Sequence, residues 1–230
     1  MRIKYGRVTI RHLPRLIRFF SIEGLDPMTE LANTEHRDYT GAKLGMWFFL
    51  FTEILLFGGM FLVYSVYRQM NTAEFHEAGK EMDVAIGAVN TIILLTSSLT
   101  MALSISAIKK GMKNRSLLLQ GATILLGLAF LVNKYFEWSD HIRKGFYPDS
   151  PQLLAMSHGK ILFFGLYYVM TGIHALHVII GMSVIAFILV LTLRNSVTSD
   201  DYVKLENAGL FWHLVDVIWI YLFPLFYLIL

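Results

Sequence analysis

Five long apolar runs set the terms for this chain: residues 44–67, 84–108, 117–138, 160–193 and 209–230. A helix that crosses the hydrocarbon of a bilayer needs roughly 20 predominantly apolar residues, and each run meets that length. The sequence therefore predicts an all-α integral membrane protein, a bundle of five transmembrane helices over 44–230 behind an N-terminal segment, 1–43. The balance of 55% hydrophobic to 16% charged residues and a mean hydropathy of +0.54 fit that class and not a soluble domain. The fourth run has 34 residues, roughly 50 Å of helix, and should tilt or project beyond the bilayer. No internal repeat suggests the inverted halves of a transporter. With no cysteine, disulfides, thiolate metal sites and cysteine nucleophiles are excluded.

The distribution of Lys and Arg gives a direction. Fourteen of the 20 lie in 1–43, in the connection 109–116 and in the connection 194–208. The other six lie on the opposite side, with Lys134 and Lys160 counted at helix ends. The positive-inside rule then places the N-terminus inside and the C-terminus outside. Segment 12–22, HLPRLIRFFSI, reads either as a short interfacial helix or as an irregular basic tail. No cleaved signal peptide is expected, because no short apolar core with a small-residue cleavage site is present.

Ionisable residues inside the runs are few. Glu53 stands alone in the first, and Lys134 and Glu137 lie near the outer end of the third. His174 and His177 occupy the fourth, His213 and Asp216 the fifth. A carboxylate near the centre of a spanning helix costs about 2.5–3.5 kcal/mol on insertion scales, so it should face other helices. Counted from the helix ends, Glu53, the histidine pair and the His213/Asp216 pair reach a similar depth, which predicts one buried polar cluster. Three roles stay open for it: metal ligation, a proton relay, or hydrogen bonds that fix helix packing. The spacing matches no metal signature such as HExxH or paired Glu-x-x-His.

Other polar positions read as structural. Hydroxyls crowd the second run from Thr96 to Ser106, and Asn133 and Glu137, one turn apart, are expected to pair. Gly58, Gly59, Gly165, Gly172 and Gly181 are expected to let backbones approach. Tyr64, Tyr67, Trp138, Tyr147 and Trp212 are belt candidates. Pro224 should kink the last helix and leave a carbonyl for a neighbouring helix to shield.

Five segments, in order, resemble subunit III of the haem-copper oxidases. They are FLFTEILLFGGMF (49–61), VNTIILLTSSLTM (89–101), YFEWSDHI (135–142), TGIHALHVIIG (171–181) and FWHLVDVIWIYLFPLFYL (211–228). The chain is similar to the five-helix bacterial members, beginning at the third helix of the seven-helix ones. The resemblance implies a non-catalytic subunit of a respiratory terminal oxidase in the bacterial cytoplasmic (inner) membrane. It implies no cofactor on this chain, haem and copper in the partner subunit I, and room for a structural phospholipid. Its partners would be subunit I directly, subunit II and other small subunits, and membrane lipids, with no nucleic acid.

By the same resemblance, Glu53 matches the family's membrane carboxylate, with a role in supporting proton uptake. His174, His177, His213 and Asp216 match its other polar positions, with Asn90, Asn133 and Glu137 as secondary ones. The histidines then read as structural partners rather than ligands. The alternatives are an accessory subunit of a nitric oxide reductase, a stand-alone ion transporter using Glu53, and a membrane metalloenzyme with His174, His177, His213 and Asp216 as ligands. Cytochrome c and quinol both stand as electron donor to the complex.

Overall fold

A computed structural model describes residues 39–228 of the 230. The interfacial-helix reading of 12–22 falls outside those residues. Five helices among the described residues are long and apolar enough to cross a membrane: α1 (Tyr39–Met70), α3 (Val84–Lys109), α4 (Lys113–Arg143), α6 (His158–Leu193) and α7, Val203–Phe223, with a π-helical turn at Pro224–Leu228. Two short helices, α2 (Thr72–Gly79) and α5 (Pro151–Leu154), lie in the connections. The end of the bundle where α1 begins is called the near end here, and the opposite end the far end.

The ends of the helices follow local chemistry. Asp83 caps α3 by accepting from the amides of Ala85 and Ile86 at 2.9 and 3.1 Å. Gly111 and Gly145 adopt φ of 72° and 77° just past α3 and α4, and Asn195 adopts 60° just past α6. In each case the following amide reaches back five residues, as in Met112 to the Ala107 carbonyl at 2.9 Å. The first turn of α6 is capped from a distance, by the Glu74 carboxylate of α2 accepting from the Gly159 amide. One residue on, Lys160 pairs with Glu77 at 2.9 Å, and that hydrogen bond and charge hold the Glu77 carboxyl below its ordinary range.

Four of the long helices form a closed ring in which α3 packs on α4, α4 on α6, α6 on α7 and α7 on α3. The α3–α7 side is laced by polar contacts. Trp219 Nε1 donates to Thr91 Oγ1 at 3.0 Å, Trp212 Nε1 donates to Ser97 Oγ at 3.1 Å, and Ser98 Oγ meets His213 Nδ1 at 2.6 Å. On the α4 side, Thr100 bonds Thr123 at 2.8 Å and Ser104 bonds Ser116 at 3.1 Å. Five hydroxyls of the second run, Thr91, Ser97, Ser98, Thr100 and Ser104, are thus paired across its two neighbours, while Thr96 bonds the Ile92 carbonyl of its own helix. Trp212, a belt candidate by sequence, is fully buried: its ring fills a slot between Gly127 of α4 and Gly181 of α6. Of the five glycines singled out by sequence, Gly181 alone has a neighbour tight enough to forbid a side chain; Gly58, Gly59 and Gly165 face open space.

The far end of the ring closes on a buried ion pair. Lys134 Nζ donates to Glu137 Oε2 at 3.1 Å and to the hydroxyls of Tyr167 and Tyr227 at 3.0 Å each. Both phenols in turn donate to Glu137 Oε1, Tyr167 at 2.5 Å. Lys134 also lies over the rings of Tyr167, Trp219 and Tyr227. The sequence placed Lys134 at a helix end, but α4 continues to Arg143, sustained by Asp140 pairing with Arg143 and Lys144. Asn133 does not pair with Glu137; its amide donates to Asn90 Oδ1 at 3.0 Å on α3.

Outside the ring, α1 lies against α6 and α7, with most of its surface exposed. Phe49 meets Phe211, Phe57 meets His177, and Phe61 meets Tyr221. Tyr64, another belt candidate, is buried instead and donates to the Leu225 carbonyl in the turn that Pro224 opens. At the near end, Glu206 of α7 joins Lys43 and Lys109 at 3.0 and 2.5 Å.

Two outcomes test this packing. Gly181→Ala would set a methyl 2.8 Å from the rigid Trp212 ring and should cost about 1–3 kcal/mol, while Gly59→Ala should be neutral or better; denaturant unfolding in detergent measures both. Lys134→Met strands a buried carboxylate and should cost about 3–5 kcal/mol, with much of it recovered in Lys134→Met/Glu137→Leu. A double variant no better than the single would refute that account.

Candidate functional site

The residues singled out by sequence do not gather into one hydrogen-bonded cluster. The structure divides them between two faces of the α6–α7 pair, and the reason is angular. Positions three apart on a helix differ by about 60° in direction, since each residue advances about 100°. On α6 that offset turns His174 into the ring and His177 outward to α1.

Glu53 and His177 meet there. Glu53 Oε2 lies 2.9 Å from His177 Nε2, and His177 Nδ1 lies 2.7 Å from the Ile173 carbonyl one turn earlier. Phe57 stands edge-on to the imidazole at 5.2 Å between ring centres, and Phe211 covers it from α7. The pair is shielded but not sealed: the side chains are 14% and 11% exposed. Glu53 is near the middle of a helix roughly 48 Å long, well inside a hydrocarbon layer about 30 Å thick.

His174 is fully buried one turn away. Phe130 stands edge-on to it at 5.6 Å and Trp219 lies tilted at 5.4 Å. Among the described residues neither ring nitrogen has a hydrogen-bond partner. His213 points from α7 toward α3, where its Nδ1 is engaged by Ser98. Asp216, 2% exposed on the same helix, has no hydrogen-bond partner for either oxygen among the described residues; Ser98 is its polar neighbour. Asn90 and Asn133 bond each other, and Glu137 belongs to the Lys134 ring of contacts.

This arrangement offers no ready-made metal cage among the described residues. His177 has both nitrogens committed, to Glu53 and to a backbone carbonyl, and His213 has one on Ser98. His174 is boxed by aromatic rings. Among the described residues no three of the His, Asp and Glu side chains converge on a point where an ion would sit. What the geometry does offer is a carboxyl and an imidazole sharing a hydrogen bond at mid-depth, beside a helix exposed on its other sides. Sequence reasoning missed the Lys134–Glu137–Tyr167–Tyr227 ring. The only signal for it was Lys134 three residues before Glu137 on one helix face, because Tyr167 and Tyr227 come from distant segments.

Comparison with known proteins bears on the same residues. The family model for cytochrome c oxidase subunit III matches residues 29–229, which includes every site position above. The cytochrome c oxidase subunit 3 of Alkalihalophilus pseudofirmus is 31% identical over 206 residues, 90% of this chain and 94% of its own length. The cytochrome bo(3) ubiquinol oxidase subunit 3 of Pseudomonas aeruginosa is 29% identical over 80% of this chain and 83% of its own. A longer relative, the heme-copper oxidase subunit I+III of Aeropyrum pernix, is 30% identical over 85% of this chain, which spans only 24% of that protein. With a family match running over all five of its membrane helices, the chain belongs to the cytochrome c oxidase subunit III family.

Proposed function

We propose that this chain is the non-catalytic subunit III of a respiratory haem-copper terminal oxidase in the bacterial cytoplasmic membrane. It binds no haem or copper; those centres lie in subunit I, against which it packs, with subunit II and smaller subunits completing the complex. The observation that carries this reading is the family match across all five spans. The fused subunit I+III relative supports direct contact with subunit I, since fusion keeps two neighbours together. Relatives named for cytochrome c and for ubiquinol share most of this chain's length, which fits a subunit that meets neither donor.

The distribution of Lys and Arg supports a near end facing the cytoplasm. Glu53 is then a carboxyl that proton-carrying water reaches from the inner side, and its role is to support proton uptake by the complex. A hydrogen-bonded carboxyl–imidazole pair suits that role better than the other polar groups do. His213 is tied to Ser98, and Glu137 is locked between a lysine and two phenols. Among the carboxyls of the described residues, Glu53 is the one that combines an imidazole partner with partial exposure.

Purification through this chain in mild detergent should bring down a complex with oxidase-type haem in its reduced-minus-oxidised spectrum, together with oxygen consumption. Haems of b and c type with nitric oxide turnover would move the chain to a reductase, and no haem-bearing partner would overturn the reading altogether. In that complex, Glu53→Gln should leave assembly and haem content intact while changing the pH dependence of turnover or shortening the time over which activity lasts. Unchanged pH profile and lifetime would remove the proton role from Glu53.

A further inference from the structure

The contact surface of α1 is a single seam. Met46, Leu50, Glu53, Phe57, Met60 and Tyr64 follow one another at alternating steps of four and three residues, the a/d spacing of a coiled coil. Leu50, Phe57 and Tyr64 are its buried members, and Met46 and Met60 pack against the core. Glu53 is the one carboxyl in that row. The flanks of the seam are loosely filled. A cavity of about 250 Å³ opens between α1 and α7 beside Ile54, Leu214 and Tyr221. Another of about 430 Å³ lies between α1, α6 and α7 beside Phe49, Val184 and Phe211. Polar contacts set the register of a helix held this way, here Tyr64 to the Leu225 carbonyl toward the far end and, at mid-depth, Glu53 to His177.

Hydrogen counting fixes what that contact needs. The Ile173 carbonyl can only accept, so His177 Nδ1, 2.7 Å away, carries a hydrogen. Between Nε2 and Glu53 Oε2, at 2.9 Å, one further hydrogen is required. It sits either on Nε2 beside a carboxylate or on Oε2 beside a neutral imidazole, and the two forms have the same proton count and net charge. Remove that proton and the one hydrogen left on the ring cannot serve both sides: on Nδ1 it leaves a carboxylate lone pair facing an imidazole lone pair, on Nε2 it leaves the Ile173 carbonyl facing one, and either way the ring loses one of the two contacts that seat it in a poorly solvated seam. Add a second proton and the hydrogen bond survives, because Nε2–H still donates to the acid.

Resting on the reading of Glu53 as the carboxyl that supports proton uptake, we propose that Glu53 and His177 form a one-proton binding site whose proton latches α1 onto α6. Release of the proton toward the partner subunit unlatches α1, and reloading from the inner side restores its register. The charged and titratable surroundings are sparse. On α6, His174 lies one turn earlier; from α4, Lys134 faces His174; α7 presents Phe211 to the pair, with His213 turned to Ser98 and Asp216 beside it. On α1 itself, Lys43 and Arg68 are near the two ends, two or more turns away.

The chain has no cysteine, so spin labels at Leu56→Cys on α1 and Leu176→Cys on α6, both exposed sites, report the distance between these helices in the complete complex in lipid nanodiscs. Otherwise unaltered protein should show one distance at mildly acid pH and a second, longer population that becomes the major one at alkaline pH. Glu53→Gln, whose amide donates to Nε2 and has no proton to lose, should hold the short distance throughout. His177→Leu should show the longer population at every pH. A distance that ignores pH in the unaltered pair, or a longer population in Glu53→Gln, would overturn the latch. Proton uptake measured on the same samples separates the two ideas. Altered uptake in Glu53→Gln with a distance that never moves sinks the latch alone; a pH-driven distance with unaltered uptake sinks the proton-supply role and leaves the latch.

Discussion

Hydrocarbon offers a polar side chain nothing to bond, and the architecture of this protein follows from how each such group is met by another helix. The hydroxyl-rich α3 shows it most plainly. Its Thr91, Ser97 and Ser98 receive two indoles and an imidazole from α7, while Thr100 and Ser104 reach α4. Hydrophobicity cannot choose between helix faces where the surroundings are as apolar as leucine. These hydrogen bonds can, since rotating α3 by one residue would turn several hydroxyls away from their partners. The ring of four helices is therefore specified by polar pairing and by the slots that Gly127 and Gly181 leave for Trp212, with apolar bulk filling what remains.

The fifth long helix is attached by different means. Whereas α3, α4, α6 and α7 each touch two neighbours in the ring, α1 touches it along one narrow row. Large exposed residues such as Trp47, Phe48, Phe51 and Leu62 cover its other sides. In lipid such exposure carries no penalty, so α1 stays where specific contacts hold it. Those contacts are spread along its length: Lys43 with Glu206, Glu53 with His177, and Tyr64 with the Leu225 carbonyl. The central one is the only one of the three that joins two ionisable side chains at mid-depth.

Much of this was legible in the sequence, in a one-dimensional sense. The five runs and their order could be read because hydropathy integrates over some 20 residues, and depth could be read because rise per residue is constant. Direction around each helix could not, and that is where the expected single cluster came apart. His213 and Asp216 share depth with Glu53 but belong to the α3 side of α7. The helices also run on past the apolar windows, as α1 and α4 do at both ends. The polar stretch Ser139–Arg143 reads as loop, yet it stays helical, with Asp140 paired to Arg143 and Lys144, so Lys134 lies well inside the end of α4. Tyr64 and Trp212 fit an interfacial belt by type, and nothing local reveals that a carbonyl and a serine wait for them inside.

The two buried acid-base groupings show why one suits proton exchange and the other does not. In the Lys134 ring all three ammonium hydrogens have acceptors, and Glu137 accepts from the lysine and both phenols. Moving a proton in or out of that ring leaves an uncompensated charge in a site where lysine and glutamate are 4% and 2% exposed. Breaking such a pair costs about 3–5 kcal/mol, a factor of roughly 150 to 4,000 in population. The Glu53–His177 pair has one shared hydrogen, a neutral total, and an edge open to its surroundings. Gaining a proton there keeps the hydrogen bond, and losing one costs a contact on a helix that is already loosely held. The closed ring can only be a fastening. The open pair is the one that the proposed latch can load and unload, with the position of α1 as its readout.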